Sequence, residues 1–181
     1  MMYRKNKILV YFLIFCAFAV RGQELKQHEV LESSVNFEIK NAGITVEGNI
    51  SGLDAVIFFD EKRPEKTTMK ASIDPSTIET GIGIRDKHLK RSDYFDVKKH
   101  PEIKMVSQKF EKVNGNTVEG TFDLTIKDFT KEVVIPFTIV KDKDIYRMNG
   151  IFLLNRLDYN LGEESFIMSE EVKVLIEILS K

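Results

Sequence analysis

Apolar and polar residues alternate along most of this chain, beginning at about Ser33. Alternation with a period of two is typical of strands that have one buried face and one exposed face. It is continuous in segments that cover residues 35–39, 44–50, 118–126, 133–139, 146–154 and 172–178. Shorter candidate strands cover residues 55–59, 66–73 and 103–110. Turn-forming residues separate these segments, so the pattern predicts about eight antiparallel strands, in either a barrel or a two-sheet sandwich.

The alternation stops between residues 78 and 101, where the chain carries a dense block of charged residues. Within this block, Ile84, Leu89 and the Tyr94-Phe95 pair can share one side of a short helix. The charged residues between them would then face the solvent. We therefore predict a short, irregular helical flap near residues 82–96, inserted between two strands.

The first 22 residues have the features of a secretory signal peptide. Basic residues precede an apolar run from Ile8 to Val20, and small residues follow it. The run is shorter than the ~20 apolar residues that a membrane-spanning helix needs. We expect cleavage after Gly22, which would remove residues 1–22 and leave residues 23–181 as one domain, in the periplasm or secreted, with no stable membrane span.

Cys16 is the only cysteine of the chain, and it lies inside this leader. Two alternatives therefore concern the processing site: cleavage after Ala19, or a lipoprotein signal in which Cys16 becomes the acylated N-terminus. Bulky Phe15 disfavours the second, because a small residue is preferred before the lipidated cysteine. If the leader is removed, no disulfide, zinc-thiolate site or thiol nucleophile is available.

The charge balance of the remaining chain is acidic. Removing four basic residues and no acidic residue from totals of 27 and 28 leaves a formal net charge of −5. An acidic surface repels the phosphate backbone of nucleic acids, and no basic patch interleaved with aromatic residues is present. We therefore predict no nucleic-acid partner.

The charged block between the strands is the main candidate for chemistry. Asp86, His88 and His100 could form a metal or acid–base site, since imidazole and carboxylate groups bind zinc and iron. Their spacing matches no metal-binding motif, and the serines lack the context of an activated nucleophile. We interpret these residues as solvated surface charges and predict no catalytic site, no metal and no cofactor.

The same block carries a family resemblance. The segment IDPSTIETGIGIRDKHLKRSDYFDVKKHPEIKM resembles the signature of the YceI-like family of exported, polyisoprenoid-binding proteins. Three further segments in the same order support it: VNFEIKNAGITVEGNISGLDAVIFFD, FDLTIKDFTKEVVIPFTI and NRLDYNLG. The resemblance implies an all-β, antiparallel, eight-stranded lipocalin-like barrel with an apolar tunnel, and it is compatible with a homodimer. It also implies that the charged block is architecture, with the flap at one end of the barrel.

The resemblance implies that the barrel holds a long-chain apolar ligand, namely a polyisoprenoid, an isoprenoid quinone or a fatty acyl chain. Small residues at Gly48, Ala71, Gly120 and Gly150 would leave room beside larger inward residues. Two other functions stay open: an interaction or stress protein with a filled barrel, and a lipid-modifying enzyme that uses Asp86, His88 and His100. The predicted ligand-binding residues are Phe37, Phe58, Met69, Ile73, Met105, Phe122, Leu124, Phe137, Ile139, Phe152 and Leu154.

Overall fold

The computed structural model describes residues 25–181, and the predicted signal peptide with Cys16 lies outside these residues. The described chain forms strands and one short α-helix, α1 (Gly83–Leu89). Three 3-10 turns lie at Pro64–Lys66, Pro75–Thr77 and Arg156–Tyr159. The strands are β1 (Gln27–His28), β2 (Val30–Asn41), β3 (Ile44–Ile50), β4 (Asp54–Phe58), β5 (Thr68–Ile73), β6 (Ile103–Asn114), β7 (Thr117–Ile126), β8 (Phe129–Asp142), β9 (Ile145–Asn155) and β10 (Met168–Ser180).

All strands belong to one antiparallel sheet, with the order β1-β4-β5-β6-β7-β8-β9-β10-β2-β3. The prediction of an all-β antiparallel fold is confirmed, but the strand count is ten and not eight. The alternation marks nine segments, and the strand that it does not mark is β1, whose two residues are too few to show a period. Glu29 separates β1 from β2, and the bend at Ser51–Leu53, where Gly52 has a φ of +79°, separates β3 from β4.

The two interruptions do not change the strand register. Gln27 lies opposite Phe58 in the β1–β4 pair, and Val35 lies opposite Ile50 in the β2–β3 pair, so both pairs continue one hairpin. β10 pairs with β2 on its other side, and Glu29 exchanges two backbone hydrogen bonds with Lys181. The two ends of the strand order are thus joined by the chain itself, and the sheet curls back around its apolar side chains.

One end of the curled sheet is packed solid, and we call it the packed end. Phe122 is fully buried between Phe110 and Phe137, with ring centroids 5.4 Å and 6.0 Å away in edge-to-face contacts. Other fully buried side chains surround these rings, namely Ile57, Met69, Ile135, Met148 and Ile178. The packed end contains the β6–β7 and β8–β9 turns and both described termini.

Glycines on the inner face make the aromatic packing possible. A Cβ atom added at Gly120 would lie 2.5 Å from Phe122, and one added at Gly150 would lie 2.7 Å from Phe137. Atoms cannot approach this closely, so the rings occupy the space above the glycine backbone. The sequence-based interpretation that glycines leave room beside aromatic residues holds here, but the room is filled by protein.

α1 confirms a short helix in this block, although the helix is shorter than the flap expected over residues 82–96. Ile84, which was expected on the packed side with Leu89, is 83% exposed. After Leu89 the chain continues as turns, with Asp96 in the left-handed region at a φ of 46°. The flap is held by Thr80, whose backbone N–H and hydroxyl both donate to the Asp86 carboxylate. Arg85 donates from Nε to the Thr80 hydroxyl at 2.7 Å and from Nη2 to the Thr80 carbonyl at 2.6 Å. Arg85 and Asp86 are half-buried, so these two charges fasten the flap to Thr80 and do not face the solvent as predicted.

His28 makes the packed end sensitive to pH. Its ring is buried against Phe59 and Tyr146, with centroid distances of 5.9 Å and 5.0 Å. Burial, followed by the charge of Lys26, lowers the pKa of His28 from its ordinary value of 6.5. Because the unfolded chain then binds the proton first as pH falls, the free energy of unfolding should decrease below about pH 6.5.

A variant comparison isolates this effect from other titrations. Urea unfolding between about pH 8 and about pH 5 should show a smaller loss of stability in His28→Gln than in the wild type. Equal losses of stability in the two proteins would show that His28 does not couple folding to protonation.

Candidate functional site

A cavity of about 340 Å³ occupies the other end of the curled sheet, beneath α1. We call this the cavity end. Its walls come from β2, β3, β5, β6, β7, β9 and β10, near the β2–β3 and β7–β8 turns and the β9–β10 loop. The volume falls in the range of about 300–1,000 Å³ that is usual for small-molecule sites. The wall is mainly aliphatic and aromatic, including Val35, Ile39, Val46, Ile50, Leu53, Ile103, Ile126, Val172, Val174 and Ile176.

The flap covers this cavity with three apolar side chains. Leu89, Tyr94 and Phe95 line the cavity from above. Phe95 also packs against two separate clusters of buried hydrophobic side chains. The Phe95 N–H donates to the Leu89 carbonyl at 3.0 Å, which turns the chain back beneath the helix. The Gly162 N–H donates to the Asp93 carbonyl at 2.8 Å and ties the flap to the β9–β10 loop.

The structure brings six of the eleven predicted binding residues to the cavity wall: Phe37, Ile73, Met105, Leu124, Phe152 and Leu154. Met69, Phe122 and Phe137 are instead fully buried in protein at the packed end. Ile139 is partly buried against the same core. Phe58 alternates with Ile57 and Phe59, which enter the core, and therefore lies on the opposite face of β4.

Several cavity residues were missed from the sequence. Val35, Ile39, Val172 and Val174 continue the alternation in β2 and β10, and this signal alone could have added them. The sequence contains nothing that would predict Arg156 as a cavity residue, because arginine next to a turn is usually exposed to solvent. Within the cavity end it is one of the most buried side chains.

Arg156 reaches across the base of the β9–β10 loop. It is 2% exposed, and its guanidinium donates to the Ser169 carbonyl from Nε at 3.0 Å, to Leu161 from Nη1 at 2.8 Å and to Glu163 from Nη2 at 2.7 Å. The loop is therefore organised around one buried cation that also lines the cavity.

The residues of the enzyme alternative do not form one site. Asp86 is engaged by Thr80, as described above. His88 Nε2 lies 3.3 Å from an Asp93 carboxylate oxygen, and His100 Nε2 lies 3.7 Å from Asp128. Each of the three therefore has its own partner, and the His100 side chain is only 11% exposed, so it is not the solvated surface group that the sequence predicts. Residues 25–181 contain no group of three or more His, Cys, Asp and Glu side chains that could hold a metal. Over the same residues, no helix has the length and apolar character to cross a membrane.

Comparison with known proteins gives a consistent result. A family model described as a YceI-like domain matches residues 28–179. A UPF0312 protein from Pseudomonas aeruginosa is 30% identical over 159 residues, which cover 84% of this chain and 81% of that protein.

Two solved structures share the fold. The crystal structure of Burkholderia cenocepacia BcnA has a TM-score of 0.79 at 23% identity and covers 82% of this chain and 96% of that chain. A polyisoprenoid binding domain from Saccharophagus degradans, implicated in plant cell wall breakdown, has a TM-score of 0.64 at 13% identity. That match covers 87% of this chain and 99% of that chain.

Proposed function

Because this chain belongs to the YceI-like family, we propose that it binds a long-chain apolar ligand inside a lipocalin-like barrel. The candidate ligands are a polyisoprenoid, an isoprenoid quinone and a fatty acyl chain. One observation carries the proposal: a cavity of about 340 Å³ lies within the sheet and its wall is mainly apolar. The structural likeness to the polyisoprenoid binding domain from Saccharophagus degradans supports the same class of ligand.

The cavity supplies the driving force for such a ligand without a reaction. Removing hydrocarbon from water contributes about 0.8 kcal/mol per buried methylene, so a chain that fills the cavity binds through its length. Methionines at Met105 and Met168 line the wall, and their unbranched side chains adapt to chains of different shape. The structure therefore supports a binding protein over a filled interaction barrel, whose interior would have no such space.

The proposal includes export. The basic residues and apolar run of the first 22 residues support a signal peptide, and an apolar cargo needs a carrier wherever it leaves a membrane. The flap covers the cavity, so a carrier of this design would shield its cargo from the periplasmic or extracellular water. Mass spectrometry of the protein isolated from its source should find an N-terminus at Gln23; a retained leader would contradict this part.

Native mass spectrometry tests the binding itself. Protein purified without detergent should carry an added mass that organic solvent extracts, in the range of isoprenoids, quinones or fatty acids. Extracted protein should then take up a neutral fluorescent hydrocarbon probe with a stoichiometry of one. A folded, extracted protein that takes up no apolar probe would contradict the proposed function and favour an interaction protein with a closed core.

A further inference from the structure

Among the described residues that line the cavity, the ionisable side chains other than Tyr94 are all basic. Arg85, His88, Lys104 and Arg156 line it, and no aspartate or glutamate does. Two of the four already have carboxylate partners, because His88 contacts Asp93 and Lys104 Nζ lies 2.9 Å from Glu102.

Arg156 differs from the other three in burial, and it shares with Arg85 the lack of a carboxylate partner among residues 25–181. It is 2% exposed, and its three hydrogen bonds all go to backbone carbonyl oxygens. Within residues 25–181 it forms no ion pair with a carboxylate. A guanidinium has five N–H donors, so two remain beyond these three bonds. Carbonyl groups orient the side chain, but they do not neutralise its charge, and an uncompensated buried charge is costly.

A second polar group lies at the same end of the cavity. Asn41 lines the wall, and its Oδ1 is buried with no hydrogen-bond partner in the described chain. The sheet register places Met168 opposite Asn41, and the next residue, Ser169, supplies a carbonyl to Arg156. An unpaired buried amide is uncommon in proteins, since such groups normally find a partner. If the side-chain amide of Asn41 were rotated by half a turn, its N–H donors would face the cavity in place of Oδ1.

From these contacts we propose that Arg156, with Asn41 beside it, is a subsite for an anionic oxygen head group, a carboxylate or a phosphate, on the apolar chain. The inference rests on the proposed function and specifies which end of the ligand lies near the β9–β10 loop. A planar guanidinium binds such oxygens through paired, charge-assisted hydrogen bonds. The wall of the cavity would then hold the hydrocarbon while Arg156 fixes its polar end.

Competition between matched ligands tests this inference. Hexadecanoate, hexadecyl phosphate and hexadecanol have the same chain and differ only in the head group. Each would displace a neutral fluorescent hydrocarbon probe from the extracted protein, at a pH well above the ordinary pKa of the carboxyl group. We expect at least one of the two anions to bind about tenfold more tightly than the alcohol, because a hydrogen bond to a charged group is stronger than a neutral one.

Variants assign the preference to Arg156. Arg156→Met should bring the three ligands to equal affinity while probe binding persists, and Arg156→Lys should keep part of the preference. Arg147→Met is the matched control, since Arg147 is half-exposed on β9 and pairs with Glu177. It should keep the full preference. If Arg156→Met does not fold, Asn41→Leu takes its place and should reduce the preference.

The outcomes separate this inference from the proposed function. Equal binding of all three ligands by the wild type would overturn the head-group subsite and leave chain binding intact. A preference that survives in Arg156→Met, or one that is unchanged in Asn41→Leu where that variant replaces it, would also overturn the subsite. If the extracted protein binds neither the probe nor any of the three ligands, the proposed function and the subsite are both wrong. A preference for only one anion would identify the head group as carboxylate or phosphate.

Discussion

Met105→Trp should weaken ligand binding by at least about tenfold while the protein stays folded. Met105 lies on the cavity wall in β6, opposite Ala71 on one side and Leu124 on the other. An indole at this position extends into the space that a hydrocarbon chain would occupy. Ordinary overpacking costs about 1–3 kcal/mol, but here existing empty volume accepts much of the added side chain. We expect affinity for an apolar probe to fall by at least about tenfold, which corresponds to about 1.4 kcal/mol.

The adjacent residue provides the control for this substitution. Val106 follows Met105 in the same strand, is 38% exposed and points away from the cavity, so Val106→Trp adds the same side chain outside. It should bind the probe as the wild type does. Probe titration and urea unfolding of both variants complete the test. Wild-type uptake by a stably folded Met105→Trp protein would exclude this cavity as the binding site.

How far the fold follows from the sequence can be judged strand by strand. Long strands with strict alternation, such as β7, are evident because their inward and outward residues differ in kind. β1 has two residues, too few to show a period, so it could not be predicted. The Val56-Ile57-Phe58-Phe59 run has four apolar residues in a row, and the sequence cannot say which pair faces inward. Pairing with β5 decides, because it places Ile57 opposite Met69.

The site was harder to predict than the fold for a different reason. Alternation reports the face of a strand on which a residue lies, but not its depth along the axis of a curled sheet. Leu124 and Phe122 are on the same face of β7, yet Leu124 lines the cavity and Phe122 is enclosed by other rings. The position of the Arg156 side chain depends on the path of residues 161–169, because carbonyl groups of that segment accept its hydrogen bonds. Only the folded backbone brings those groups together.

The structure divides into an end that stabilises the fold and an end that we propose binds the ligand. Close packing at one end allows the other end to keep an empty volume, which by itself lowers stability because its walls lack contact partners. The two ends should therefore respond differently to mutation. Substitutions at the cavity end change affinity first, and substitutions at the packed end change stability first.

Phe122→Ala should show the second behaviour, with a loss of about 3–5 kcal/mol in the free energy of unfolding. Phe122 is 0% exposed, and its ring contacts Phe110 and Phe137 edge to face. Gly120 leaves no methyl group nearby to fill the gap, so the surrounding rings would have to move to close it. A residual cavity adds to the lost burial, which places the expected cost in the upper part of the usual range for core substitutions.

Phe129→Ala makes the same chemical change at the surface. Phe129 begins β8 and is 40% exposed, so its removal should change stability by less than about 1 kcal/mol. Urea unfolding of both variants measures the difference. The comparison requires that the free energy of unfolding falls with urea concentration at the same slope in both variants. If the two substitutions had similar effects, the packed end could not be the part of the curled sheet that compensates for the open volume beneath the flap. The division between a stabilising end and a binding end would then have to be abandoned, even if ligand uptake were unchanged.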